Sequence, residues 1–145
     1  DFGDTGNLTP LVKMHTLGSS FIPPATHSGG LRYHGMAPMV SHLKEIGTIE
    51  AKAFGQKECF EAGVKFANVE GIVPAPEATH AVKGVIDAAL ECKKNGKSKT
   101  ILFNLCGHGH FDMQAYGDYF DNKLSDDSYN EAAVNKALEK LPKIA

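Results

Sequence analysis

The sequence has no tryptophan, only three cysteines, and acidic and basic side chains that nearly balance at a formal net charge of -2. Each shortage excludes something. Cys59, Cys92 and Cys106 are odd in number and widely spaced, which argues against a disulfide framework or a paired-cysteine zinc knuckle and for a reducing, cytoplasmic setting. Without an excess of Lys and Arg there is no electrostatic footprint for nucleic acid or for an anionic membrane surface. No apolar run approaches the roughly 20 residues that cross a bilayer. An initiator methionine, a signal peptide and a transit peptide are also missing, and the chain opens abruptly on Asp1-Phe2-Gly3-Asp4, so it reads as truncated at its N-terminus.

What is present is ordinary for a soluble globular protein, and 145 residues are enough for one α/β domain with a real core. Residues 1–44 are rich in Gly, Pro and His. Turns are expected at Asn7-Leu8-Thr9-Pro10, Ile22-Pro23-Pro24 and Ser28-Gly29-Gly30, a strand over 11–17, and a short helix over 36–43 with Pro38 in its first turn. Alternation suggests a strand over 48–54. A helix over 58–68 places Phe60, Val64 and Ala67 on one face. A second, over 76–94, has Ala78, Ala81, Val82, Val85, Ile86, Ala89 and Leu90 at helical spacing, Pro76 at its first position, Lys93 and Lys94 at its negative end, and Gly96 as a left-handed cap.

Thr100-Ile101-Leu102-Phe103-Asn104-Leu105 is short, nearly continuous and apolar, which predicts a central strand covered on both faces. Ser128-Tyr129-Asn130-Glu131 reads as a capping box for a last helix that turns Ala133, Ala137, Leu138 and Leu141 inward and ends at Pro142. Helix followed by strand predicts an α/β fold: an open, mostly parallel sheet flanked by helices in three layers, as a single domain over 1–145.

Three segments could carry chemistry. Asn104-Leu105-Cys106-Gly107-His108-Gly109-His110-Phe111-Asp112 follows the expected buried strand, where ligands sit in open α/β sheets, and its glycines let a backbone approach a ligand. It is equally satisfied by a tight turn with surface histidines. His108, His110 and Asp112 could also be metal ligands of a hydrolase, although alternate residues share a face only if the loop stays extended. Val69-Glu70-Gly71-Ile72-Val73-Pro74-Ala75-Pro76-Glu77 offers Glu70, which could orient a cofactor or relay a proton, or simply end a helix in water. Ser28-Gly29-Gly30-Leu31-Arg32-Tyr33-His34-Gly35-Met36-Ala37-Pro38 offers an arginine fork for an anion in a Gly-rich loop that lacks P-loop or dinucleotide spacing. His15, His27, His42 and His80 are taken as structural, and Cys59 and Cys92 as packing residues.

In this order and spacing, these three segments, together with Asp1-Phe2-Gly3-Asp4-Thr5-Gly6-Asn7-Leu8-Thr9-Pro10-Leu11, resemble the later part of the tryptophan synthase beta-like family, in its second beta subgroup, over roughly residues 1–120. The resemblance implies a fold-type II pyridoxal-phosphate enzyme that makes L-tryptophan from indole and serine, or an activated serine, by β-replacement. It implies that Glu70 lies near the cofactor's phenolic oxygen, that Gly30 lies close to the cofactor, and that Cys106, with Gly107 and His108 beside it, faces the pyridine nitrogen. The family usually has Ser at the position of Cys106, and a thiol is the weaker donor.

Arg32 stands where the main branch carries an acid, which suits an anionic leaving group such as that of O-phosphoserine. Carbonyls near Tyr33 and Gly35 match a monovalent-cation site. The family's Schiff-base lysine and Gly-Gly-Gly-Ser-Asn phosphate loop lie upstream and have no counterpart here. The chain should therefore be inactive alone, with the missing N-terminal part as its partner, a homodimer when full length, and binding of an alpha subunit left open. A non-catalytic α/β scaffold module is the rival reading.

Overall fold

The computed structural model describes residues 6, 8–33, 35–126 and 130–142. Its elements are a 3-10 turn at Gly29–Leu31 and helices α1 (Pro38–Glu45), α2 (Gln56–Glu70), α3 (Pro76–Lys94), α4 (Met113–Phe120) and α5 (Glu131–Leu138). Extended pairing among the described residues is limited to two isolated antiparallel bridges, Thr16 with Gly35 and Pro74 with His108. The expected α/β architecture is therefore not observed, nor is the parallel sheet that a fold-type II enzyme implies.

The physical reason lies in how the two element types satisfy their backbones. A helix closes its own hydrogen bonds, whereas a strand needs a neighbour. Residues 48–53 are all exposed and join no ladder; the Thr48 and Ile49 amides turn back to donate to the Leu43 carbonyl. In residues 101–105, Ile101, Phe103 and Leu105 are half-buried while Leu102 and Asn104 are exposed, Leu102 almost completely. The segment leans on one side, with Phe103 meeting Phe66 edge-on at 6.0 Å, and has no ladder on either flank. The 11–17 stretch supplies only the bridge residue Thr16.

The described residues divide into two compact units. One draws on Asp1–Ala25, Arg32–Lys52 and Ser128–Ala145. There Pro38 occupies the first turn of α1, as its missing N–H predicts. Ser41, buried on that helix, accepts from the His15 amide at 3.1 Å and donates to the Met36 carbonyl at 3.3 Å. At α5 the cap is Asn130, whose side chain accepts from the amides of Ala132 and Ala133, and the helix stops at Leu138, four residues before Pro142. The Ser128 and Tyr129 part of the expected capping box lies outside the described residues. Ala137 is buried and Val134 and Leu141 half-buried, as expected for Ala137 and Leu141, but Ala133 and Leu138 are exposed, so the inward stripe runs through Val134, Ala137 and Leu141.

The other unit comprises Thr26–Leu31 and Ala53–Asp127. Helix α2 is capped by carboxylates: Glu58 reaches back to the Gly55 amide at 2.8 Å, and Asp126 accepts from the Lys57 amide at 3.0 Å. Asp126 thereby supplies what glycine at the cap cannot, and both charges sit at the positive end of the helix dipole. Helices α2 and α3 pack on each other through Cys59, Phe60, Ala62 and Gly63 of α2 and Ala78, Thr79 and Val82 of α3. Only the N-terminal half of α3 is buried; Leu90 is mostly exposed.

Phe60 is the centre of the core, with Ala115, Tyr116 and Leu124 around it. It meets Tyr116 edge-on at 5.0 Å and stacks on Tyr119 at 5.9 Å. Burial of such a ring contributes about 2–3 kcal/mol. Helix α4, which brings Tyr116 and Tyr119 to that ring, has no counterpart among the elements expected from sequence.

Candidate functional site

Two of the three motifs meet at the chain that enters α3. Glu70 is the last residue of α2, and Gly71 ends that helix in the left-handed conformation at φ +72°, donating to the Ala67 carbonyl at 2.9 Å. The chain then runs antiparallel to the glycine turn at 107–109. Ala75 N–H donates to Gly107 O at 3.1 Å, and Gly109 N–H donates to Val73 O at 2.8 Å. Beneath this pairing the Tyr116 hydroxyl donates to the Pro74 carbonyl at 2.6 Å.

The glycines are needed for this approach. Gly107 has φ +98°, and a Cβ on Gly109 would lie 2.6 Å from the Pro74 carbonyl oxygen and 2.8 Å from Val73 Cγ1. Their close contact is thus with their own chain. Cys106, Gly107 and His108 are exposed at the rim of this pairing, as is Glu70 at the end of α2. The loop of Gly30 joins the same region through Glu77 in the first turn of α3, whose Oε1 accepts from the Gly30 amide at 2.9 Å. Glu77 was not singled out from sequence. Its only signal there was its position one residue after Pro76, at a helix start where carboxylates are favoured.

The remaining predicted residues belong to the other unit. The Arg32 guanidinium donates through Nε to Pro24 O at 2.9 Å and through Nη2 to Pro23 O at 3.4 Å, so two of its donors hold the Ile22-Pro23-Pro24 turn. Tyr33 is exposed and Gly35 pairs with Thr16. That unit also has a small cavity of about 150 Å³ bordered by Lys13, His15, His42 and Glu45, where His15 Nε2 lies 3.5 Å from Glu45 Oε2. His34 lies outside the described residues.

The metal reading finds no geometry. His108 and His110 pack ring edge to ring face at 4.7 Å, and His108 Nδ1 accepts from the His110 amide at 3.2 Å. Among the described residues no three His, Cys, Asp or Glu side chains are grouped to hold an ion. Nor, among the described residues, is any helix long and apolar enough to cross a membrane.

The donor set here is an exposed carboxylate, an exposed thiol and two glycine turns packed against Glu77, Ala75 and Pro74. Lys83, the most engaged lysine, is held by Asp87 at 2.6 Å and Glu58 at 3.3 Å and lies over the Phe54 ring. Its pKa is raised, chiefly by the hydrogen bond to Asp87 with Glu58 adding, and a lysine nucleophile needs the opposite shift.

No family model matches the chain. Its sequence does match a set of much longer chains of one biosynthetic type. These are tryptophan synthase beta chains. Identity is 60% over 124 residues to tryptophan synthase beta chain 2 of Methanosarcina mazei, covering 86% of this chain and 28% of that one. To beta chain 2 of Aquifex aeolicus it is 58% over 126 residues, covering 87% and 29%. To the tryptophan synthase beta chain of Pyrococcus horikoshii it is 50% over 142 residues, covering 98% and 30%. The chain thus spans less than a third of the length of these relatives. The chain is similar to these beta chains over most of its own length, while the helical architecture of the described residues corrects the sheet fold that the resemblance implied.

Proposed function

We propose that this chain is a segment of a pyridoxal-phosphate-dependent tryptophan synthase that joins indole to serine or O-phosphoserine by β-replacement, and that it contributes one wall of the cofactor site without being catalytic alone. The observation that carries this is 60% identity over 124 residues to a tryptophan synthase beta chain, running through all three motifs. In this reading the cofactor supplies the electron sink that labilises the serine β-substituent. The residues here orient and protonate. By the resemblance, Glu70 would hold or move a proton at the cofactor. Cys106, with Gly107, His108 and Gly30, would help hold it, the thiol as a weak donor. Arg32 would meet an anionic leaving group, and carbonyls near Tyr33 and Gly35 would hold a monovalent cation. The missing part of the chain supplies the attachment lysine and the phosphate cradle. The full-length protein would act in the cytoplasm as a homodimer.

The test is tryptophan formation from indole by the full-length chain, with the 145-residue chain alone as the inactive control. Glu70→Ala should lower kcat at least about a hundredfold. Arg32→Ala should reduce the preference for O-phosphoserine over serine. A full-length chain that forms no tryptophan from either serine would sink the reading.

A further inference from the structure

The segment carrying Gly30 is fastened at both ends. At its start, the His27 amide donates to Gln56 Oε1 at 3.4 Å, and the same Gln56 side chain, buried at the head of α2, donates to the Ser125 carbonyl. Ser28 is buried, and its carbonyl closes the 3-10 turn by accepting from Leu31 N–H at 2.9 Å. At its far end the Gly30 amide is held by Glu77, from 47 residues away.

The contact is close as well as polar. A Cβ on Gly30 would lie 3.2 Å from Glu77 Cγ and 3.4 Å from its Oε1, so the glycine turn rests directly on the carboxylate arm. Glu77 is in the first turn of α3, where a negative charge is favoured, and a carboxylate accepts an amide more strongly than a neutral oxygen does. Two residues earlier, Ala75 N–H holds the Gly107 carbonyl. One short stretch, Ala75 to Glu77, therefore grips both glycine turns, one through its backbone and one through a carboxylate.

We infer that Glu77 is a positioning residue that fixes the Gly30 turn relative to the Gly107 turn, and so sets the width of the wall that meets the cofactor. The inference rests on the cofactor reading above. Glu77 touches neither substrate nor cofactor in this role; it acts through the Gly30 amide.

The experiment uses the full-length chain and compares wild type, Glu77→Ala and Glu77→Gln. Three readouts are taken: pyridoxal phosphate affinity from the absorbance of the protein-bound cofactor, the KM and kcat for serine, and hydrogen exchange at the Gly30 amide. Glu77→Ala should weaken cofactor affinity about tenfold and abolish protection at Gly30. Glu77→Gln, whose amide oxygen can accept the same bond, should keep both within about threefold of wild type. If Glu77→Ala loses protection at Gly30 while cofactor affinity, KM and kcat stay at wild-type values, the role is merely structural and the inference is overturned. If protection at Gly30 survives the alanine, the clamp itself is wrong. If the wild-type chain binds no pyridoxal phosphate, the cofactor reading falls and takes this inference with it, an outcome read from wild type alone and so distinct from the other two.

Discussion

The hydroxyl of Tyr116 donates a 2.6 Å hydrogen bond to the carbonyl of Pro74, 42 residues away, at a point where both residues are buried. This bond ties α4 to the chain that enters α3, directly under the pairing of residues 73–75 with 107–109. A buried carbonyl left without a donor incurs its full desolvation penalty.

Tyr116→Phe removes the donor and leaves the ring. It should lower unfolding stability by about 1–2 kcal/mol at neutral pH, measured by urea titration. Burial, with the charge of Asp112 adding, pushes the Tyr116 phenol from 10.0 up to about 12. The folded chain therefore holds this proton more tightly than the unfolded chain. Stability from this source is complete below pH 10 and is lost as pH rises towards 12. The phenylalanine variant should show a shallower alkaline decline, and an unchanged slope would count against the assignment.

Two helical glycines should respond in opposite directions to alanine. On Gly63 a Cβ would stand 2.6 Å from Thr79 Cγ2 and 2.9 Å from the Tyr116 hydroxyl, with the helices packed at that point. Gly63→Ala should cost about 1–3 kcal/mol. On Gly84 the nearest atom is Phe54 Cε2 at 3.9 Å, so Gly84→Ala should add about 0.5–1 kcal/mol through helix propensity. Thermal melts of the two variants check the pair.

Two of the three thiols, Cys59 and Cys106, should separate kinetically. Cys59 is buried, and that burial, reinforced by the charge of Glu58, pushes its thiol from 9.0 up to about 12. Cys106 is exposed. With a thiol reagent at pH 8, followed residue by residue in a mass spectrometer, Cys106 should be modified at least about a hundredfold faster than Cys59. Comparable rates would mean that α2 does not shield Cys59.

Asn130→Ala should lower stability by about 1 kcal/mol, since its side chain satisfies two amides of α5, and Asn130→Asp should retain most of it. Circular dichroism during thermal unfolding distinguishes the two.

The helices were legible in sequence where a stripe and its punctuation coincided. Pro76 opens α3 and Gly96, at φ +62°, follows its end, close to the expected bounds. Helix α4 was not legible, because Gly117 and Asp118 dilute its propensity and Tyr116 and Tyr119 gain their meaning only against Phe60. The strands at 48–54 and 100–105 were read from alternation and apolarity, which describe a side chain's need for cover but not whether a partner strand is present. The site was legible as motifs. That Glu70 and Gly107 flank one antiparallel pairing, and that Glu77 reaches Gly30, depends on turns that no spacing rule encodes.

Among the described residues, 98–106 share no backbone hydrogen bond with the rest of the chain. That stretch therefore has no ladder partner, and Leu102 adds an exposed leucine to it. Such a ribbon is a template for any second extended chain that drifts past, another copy of itself included. A solution of these 145 residues should accordingly cloud as concentration rises, and a lysine at position 102 should keep it clear.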